Sequence, residues 1–347
     1  MNFALTAFSG AIIPPSDVHR AETFPVKQST DASPIAFRIG QIDALAKTLL
    51  ASPALYSPEM RASLALRWLS RAWQQYRQDR AITLGPALIG AECATERNAF
   101  LTLFEQALPR REKLLSQAVR TVRKIAIRPM ASEVTEAETI VAASTDELER
   151  VLTVLAQPKR PTAPLERLLE LVDGFRYSTG DEPDPLSATA RTPCWAINLA
   201  ATARGDAFRL SETALPFPGL AQRRLFRADR GAQERRADAR EHLLEALHAT
   251  ACDIARLPRA AEVFTREFPS QRTNSRLYLA WMLLFGLGGL TPAQLARALP
   301  ATKAGAGKLL RQLEAGHLAR SQGPFAPFLC TLNIPVAMPD WRYLSSK

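Results

Sequence analysis

The chain has 347 residues, of which 47% are hydrophobic and 22% are charged. This balance excludes a wholly disordered chain, and the length suffices for two domains or for one helical domain with a smaller appendage. The formal net charge of +10 favours a polyanionic partner, namely DNA, RNA or an acidic membrane surface. The four cysteines are scattered without a C-x-x-C pair, so we expect reduced thiols in a cytoplasmic protein.

Several classes of site have no signature in the sequence. The most apolar run, at 277–290, contains three glycines and is too short to span a bilayer, so no membrane partner is expected. There is no phosphate-binding loop, no dinucleotide glycine motif and no H-E-x-x-H, and we predict neither an enzyme nor a cofactor. His248 and Cys252 are four residues apart, but no further ligands lie near them, so no metal site is predicted.

Helical patterns occupy the N-terminal half. Residues 1–36 have no sustained period and predict an irregular arm, whereas 37–175 predict a helical domain. Ser57 followed by Pro58 is typical of a helix start, and Pro109 is expected to end a helix. Ser144 with Glu147 forms a capping-box pattern that predicts another helix start. A basic stripe of Lys113, Arg120 and Lys124 lies on one predicted helix, where a solvated face is the favoured interpretation.

The middle of the chain is predicted to be irregular at 176–228, with local strand pairing at 195–199. A long helix and its connection are predicted at 229–270, with Pro258 closing the helix. A second basic region has two open interpretations, a phosphate-contacting surface or a solvated helix face with local ion pairs. Its arginines are Arg223, Arg224, Arg227, Arg230, Arg235 and Arg236.

The most informative pattern lies at 271–335 and precedes a tail at 336–347. An apolar helix ends at Gly288-Gly289, and Thr291-Pro292 then starts a short helix. Thr302 starts a second short helix, which ends at Gly316. Two short strands flanking residues 321–323 then predict a hairpin. Two short helices with a tight turn and a following hairpin are what reading of a DNA major groove requires.

Positive charge concentrates on this segment. Between Gln271 and Arg320 there are seven Arg and Lys residues and one acid, Glu314. Polar or small residues occupy the positions of the second short helix that are predicted to face outward: Thr302, Lys303, Gly305, Gly307, Lys308, Arg311 and Gln312. Because neutralising phosphates supplies most non-specific affinity for DNA, this local excess indicates a nucleic-acid contact.

The segments LTPAQLARAL, TKAGAGKLLRQLEA and GHLAR resemble the winged helix-turn-helix of MarR-like bacterial regulators. The resemblance covers roughly the last quarter of the chain. It implies that Thr302, Lys303, Gly305 and Lys308 meet bases and phosphates, and that residues 320–322, including Arg320 and Gln322, lie in the wing.

The sequence therefore predicts a mainly α fold, with a multi-helix N-terminal body and a C-terminal winged helix-turn-helix that carries a short two-stranded wing. We expect a transcriptional regulator that binds double-stranded DNA. Lys303, Lys308, Arg311 and Arg297 would anchor phosphates, Thr302 and Gln312 would contact bases, and Arg320 would approach the minor groove or backbone.

Two alternatives to a transcriptional regulator remain open. One is a replication or partition protein of a plasmid or phage, and the other is an assembly module whose winged helix binds protein. The sequence also leaves open a homodimer and a protein partner of the helical body. It does not identify the DNA target, the sign of regulation or an effector.

Overall fold

The computed structural model describes residues 32–53, 55–82, 88–90, 93–126, 129–157, 163–175, 193–208, 210, 212–227, 229–321, 323 and 326–331. The described residues belong to one compact unit. The first helix begins at Ala32, so the predicted irregular arm is helical from that residue. The rest of that arm and the predicted tail lie outside the described residues. Within the described part, no helix is both long and apolar enough to cross a membrane.

A mainly helical body precedes the C-terminal segment, as predicted. Its helices in chain order are α1 (Ala32–Leu45), α2 (Pro58–Asp79), α3 (Ala94–Ala107), α4 (Leu114–Ile125), α5 (Ala131–Ala156), α6 (Pro164–Asp173), α7 (Cys194–Ala203), α8 (Gly205–Phe208) and α9 (Ala232–Glu267). A π-helical turn (Ala46–Leu50) extends α1, and a 3-10 turn (Arg223–Phe226) precedes α9. The buried apolar side chains of these elements join those of the C-terminal segment in one cluster.

Local capping residues set several of these helix ends. The backbone N–H of Met60 donates to Ser57 Oγ at 3.3 Å, with Pro58 in the first turn, which confirms the predicted start of α2. Helix α3 ends at Ala107, two residues before Pro109. A proline disfavours the helical conformation at the residue that precedes it, which here is Leu108.

Two sequence predictions in the body are wrong. Ser144 lies inside α5 instead of starting a helix, and its buried hydroxyl accepts a hydrogen bond from Arg80 Nη1 at 3.1 Å. Residues 195–199 lie in the buried helix α7 instead of a strand. Asn198 on α7 exchanges two hydrogen bonds with the backbone of Ala221, at 2.8 and 2.9 Å. A short apolar run has no period that separates a buried strand from a buried helix.

Pro258 does not close the long helix, because α9 continues through it to Glu267. A proline lacks the N–H that would bond to the carbonyl four residues earlier, which is that of Ile254. The buried hydroxyl of Tyr56 donates to this carbonyl at 3.4 Å. A side chain from the start of the body therefore supplies the donor that the proline removes.

The C-terminal segment combines three helices with a small antiparallel sheet. Its elements are α10 (Arg276–Leu287), β1 (Gly289–Leu290), α11 (Pro292–Ala298), α12 (Lys303–Ala315), β2 (Ala319–Ser321) and β3 (Phe328–Cys330). The strand order is β1-β3-β2, with Gly289 opposite Leu329 and Arg320 opposite the same residue on the other side. The sheet has three strands instead of the predicted two, because β1 adds to the hairpin.

Helix α10 fastens this segment to the body. It packs along α2, and Ser63 Oγ on α2 donates to the carbonyl of Met282 at 2.7 Å. A Cβ on Gly286 would lie 2.7 Å from the carbonyl oxygen of Ser63, so the two helices approach closely only because this residue is glycine. The C-terminal segment thus has a fixed orientation on α2.

Candidate nucleic-acid interface

Capping hydrogen bonds define the two short helices of the C-terminal segment. The backbone N–H of Gln294 donates to Thr291 Oγ1 at 3.3 Å, and the Gln294 side chain accepts from the Thr291 N–H at 2.8 Å. The Gly305 N–H donates to Thr302 Oγ1 at 3.1 Å. These bonds confirm the predicted starts of α11 and α12. The hydroxyl oxygen of Thr302 is thereby engaged in capping, while its proton stays free to donate.

The two faces of α12 have opposite character. Ala306, Leu310 and Leu313 are buried against the rest of the segment. Lys308, Arg311 and Gln312 are exposed, together with Lys303 at the first position. At 100° per residue, Lys308, Arg311 and Gln312 fall within a single arc opposite the buried residues. The predicted outward face of this helix is therefore present for these side chains.

The two glycines of α12 have different surroundings. Gly307 is buried, so its predicted outward position is wrong, and a Cβ there would meet the Pro292 ring at 3.7 Å. Gly305 is partly exposed, and a Cβ on it would lie 3.2 Å from Thr302 Oγ1. A side chain at Gly305 would thus crowd the hydroxyl that caps the helix.

Positive charge on α12 and β2 has no acidic counterpart in the described part of the chain. Lys303, Lys308, Arg311 and Arg320 are exposed, and no described acid pairs with them. Glu314 is the single acid between Gln271 and Arg320. Its carboxylate accepts from the Ser321 N–H at 2.8 Å, so it holds the last residue of β2. Among the described residues, the cations of this face are therefore not paired with a carboxylate.

Arg297 and the hairpin flank this face. Arg297 is exposed, and its Nε donates to the carbonyl of Ile125 at 2.8 Å. One edge of its guanidinium thus joins α11 to the end of α4, which is a contact within the protein in addition to the predicted phosphate role. Arg320 projects from β2, whereas Gln322 lies outside the described residues.

The second basic region is locally compensated. Arg223 donates to the backbone carbonyls of Gln78 and Asp79 at the end of α2. Acidic partners account for the other five predicted arginines: Arg224 with Asp238 and Glu241, Arg227 with Asp229, Arg230 with Glu234 and Asp238, Arg235 with Asp173, and Arg236 with Glu166. These contacts correspond to the ion-paired alternative for this surface.

A buried histidine also engages Arg224. Burial, with Arg224 nearby, lowers the pKa of His242. The lowered pKa favours the neutral imidazole, which can accept a hydrogen bond near neutral pH. Arg224 Nε donates to His242 Nε2 at 2.9 Å. Arg224 is therefore held by a buried imidazole as well as by carboxylates.

Two buried cysteines lie in surroundings that bear on metal binding and thiol reactivity. Cys252 Sγ lies 3.5 Å from His248 Nε2, but no group of three potential metal ligands occurs in the described ranges. Burial raises the pKa of the Cys194 thiol well above its usual value, which favours the unreactive thiol form.

Sequence reasoning missed two contacts that shape this site. Gln294 Nε2 donates to the carbonyl of Ile89 at 2.9 Å, which attaches α11 to the body. Glu314 holds Ser321, as described above. The only available signal for either was the polar residue itself, because both contacts depend on chain segments that the local pattern does not bring together.

Neither a protein-family model nor a curated protein matches this chain. Inference about its function therefore rests on the geometry and charge of α11, α12 and the sheet.

Proposed function

We propose that the C-terminal segment is a winged helix-turn-helix that binds duplex DNA, and that the protein is a transcriptional regulator. One observation carries the proposal: Lys303, Lys308 and Arg311 are exposed on α12 without an acidic partner among the described residues. A helix that displays unpaired cations on its outer face is suited to a polyanion.

The order of elements supports the same conclusion. The sequence helix-strand-helix-helix-strand-strand, with strand order β1-β3-β2, resembles that of a winged helix in which the last two strands form the wing. An α-helix with its side chains is about 10–12 Å across, and the major groove of B-DNA is about 12 Å wide. Helix α12 would enter this groove, and the β2–β3 hairpin would approach the adjacent backbone or minor groove.

The exposed side chains of α12 then divide into two roles. Lys303, Lys308 and Arg311 would neutralise phosphates, which contribute affinity and fix orientation but do not read sequence. Gln312 would be the main reader of base edges, because its amide can both donate and accept. Thr302 would add a donor through its hydroxyl proton. Arg320 would contact the backbone from the hairpin.

A salt titration tests this proposal. Binding of a labelled random-sequence duplex is measured by fluorescence anisotropy from about 50 to 200 mM salt. The double variant Lys303→Ala/Lys308→Ala removes two phosphate contacts, so the slope of log affinity against log salt should become shallower by about 1.8. Affinity near 0.1 M salt should fall by roughly 50-fold.

The matched control is Arg227→Ala/Arg230→Ala, which removes the same charge from arginines that already pair with acids. It should leave the slope close to that of the wild type. Equal slopes for the wild type and Lys303→Ala/Lys308→Ala would refute the proposed role of α12. No duplex binding by the wild type at low salt would refute the proposed function itself.

A further inference from the structure

Helix α4 carries a basic stripe that α12 does not account for. Its apolar side buries Leu115, Val119 and Val122 in the core. Arg120 and Lys124 project from the opposite side and are exposed. They are four residues apart, so they lie on one face of the helix.

The stripe lies beside the turn that precedes α12. Helix α4 packs against α11, and Arg297 on α11 bonds to the carbonyl of Ile125 on α4, one residue after Lys124. A cleft beside α4 is lined by Gln117 and Thr121 of α4, by residues of α2 and α10, and by Leu299 just after the end of α11. Since α12 begins only four residues after Leu299, the stripe and the first turn of α12 lie on neighbouring elements.

The charges of the stripe differ from others on the same helix. Arg120 and Lys124 have no acidic partner in the described ranges. Arg123, on another side of α4, pairs with Glu105 at 2.6 Å. Lys113 lies next to Glu112, whose carboxylate caps the N–H groups of α4. We therefore base the proposal on Arg120 and Lys124 alone.

We propose that Arg120 and Lys124 extend the duplex-binding surface from α12 onto α4, where they contact the phosphate backbone flanking the groove that α12 enters. This inference rests on the proposed function. The two residues are about 6 Å apart along the helix axis, and each strand of a duplex carries one phosphate per about 3.4 Å of the duplex axis. One strand therefore offers a phosphate to each of them.

The arrangement assigns a role to the helical body. The close contact at Gly286 holds α10 against α2. Helix α2 also packs against α4, and α10 packs against α12, so the fold places α4 and α12 in a defined relative orientation. The body would thus set the angle of the duplex across α12, in addition to adding two phosphate contacts. This differs from a solvated helix face, where Lys124 in the last turn would only stabilise α4 through the helix dipole.

The test measures salt slopes for full-length variants on the same random-sequence duplex. Arg120→Ala/Lys124→Ala should make the slope shallower by about 1.8 and weaken binding near 0.1 M salt by roughly 50-fold. Arg123→Ala is the matched control on the same helix and should leave the slope unchanged. The charge-preserving variant Arg120→Lys/Lys124→Arg should retain the wild-type slope, because phosphates are recognised here by charge.

The outcomes separate this inference from the proposed function. A wild-type slope in Arg120→Ala/Lys124→Ala, with a shallower slope in Lys303→Ala/Lys308→Ala, would overturn the inference and leave the role of α12 intact. If Lys303→Ala/Lys308→Ala also binds like the wild type, both proposals fail. Circular dichroism and thermal unfolding of each variant establish that it is folded. Loss of duplex binding by the charge-preserving variant would also contradict the phosphate-binding role of Arg120 and Lys124.

Discussion

Two arginine- and lysine-rich regions of this chain look alike in sequence and differ in structure. The region at 223–240 contains more basic residues than α12 and β2 together, yet its six predicted arginines are bound to acids or to backbone carbonyls. On α12, the cations face solvent, and the only nearby acid in the segment is turned to the hairpin.

We infer from this difference that the local pairing of cations is a better guide to a binding surface than their number. An arginine that already has a carboxylate within about 4 Å gains little from a phosphate, because it must give up an existing interaction. A cation without such a partner gains the full benefit of counterion release. We therefore expect DNA affinity to depend on α12 and protein stability to depend on 223–240.

The largest effect is expected from reversing the charge of α12. In Lys303→Glu/Lys308→Glu, two carboxylates would face the duplex where two cations stood, so affinity near 0.1 M salt should fall by more than roughly 100-fold. Anisotropy titration with a random-sequence duplex measures this. The free energy of unfolding should change little, because both side chains are exposed. A duplex affinity within a factor of two of the wild-type value would show that α12 does not contact the duplex.

A large effect on stability is expected from a substitution in the region at 223–240. Arg223→Ala removes the donor to two carbonyls at the end of α2, and the free energy of unfolding should fall by about 1–3 kcal/mol. Urea unfolding measures the loss. Duplex affinity should stay at the wild-type value, and a shallower salt slope in this variant would show that the region contacts DNA after all.

Arg223 contacts Asp79, and the buried carboxyl of Asp79 should make the stability of the protein depend on pH. Burial raises the pKa of Asp79, although Asn198 donates to its carboxylate at 2.8 Å. The folded chain therefore holds this proton more tightly than the unfolded chain, whose value is near 3.8. The stability that protonation adds is present below pH 3.8 and is lost as the pH rises through the raised pKa.

The variant Asp79→Asn lacks this titration, so the wild type should lose stability relative to it as the pH rises above 3.8. Thermal unfolding of both proteins across this range measures the difference. Parallel pH profiles would contradict the assigned role of burial at Asp79.

The smallest effect is expected from Glu314. Glu314→Gln keeps an acceptor for the Ser321 N–H but removes the only acid of the segment, so duplex affinity should rise by a few-fold. Glu314→Ala also removes the acceptor, and backbone hydrogen exchange in β2 should then become faster. A drop in affinity for Glu314→Gln would mean that the carboxylate takes part in binding.

Local sequence signals predicted several helix starts and the exposed side of α12. The starts of α2, α11 and α12 follow from Ser57, Thr291 and Thr302, because a capping hydrogen bond forms within three residues. The exposed side of α12 follows from helical periodicity, except at Gly307, which has no side chain to mark its direction.

The remaining features depend on partners far away in the sequence. Strand β1 exists only by pairing with β3 across the two helices, and α9 passes Pro258 with the help of Tyr56. The compensation of Arg235 and Arg236 depends on Asp173 and Glu166 of α6. No local pattern contains these contacts.

Lysine footprinting tests most directly whether unpaired cations of α12 face the duplex. A lysine-modifying reagent is applied to the full-length protein with and without saturating duplex, and modification is measured by mass spectrometry. We expect Lys303 and Lys308 to become protected, whereas Lys47, which pairs with Glu212, should keep its reactivity. Unchanged modification of Lys303 and Lys308 in the presence of bound duplex would contradict this expectation.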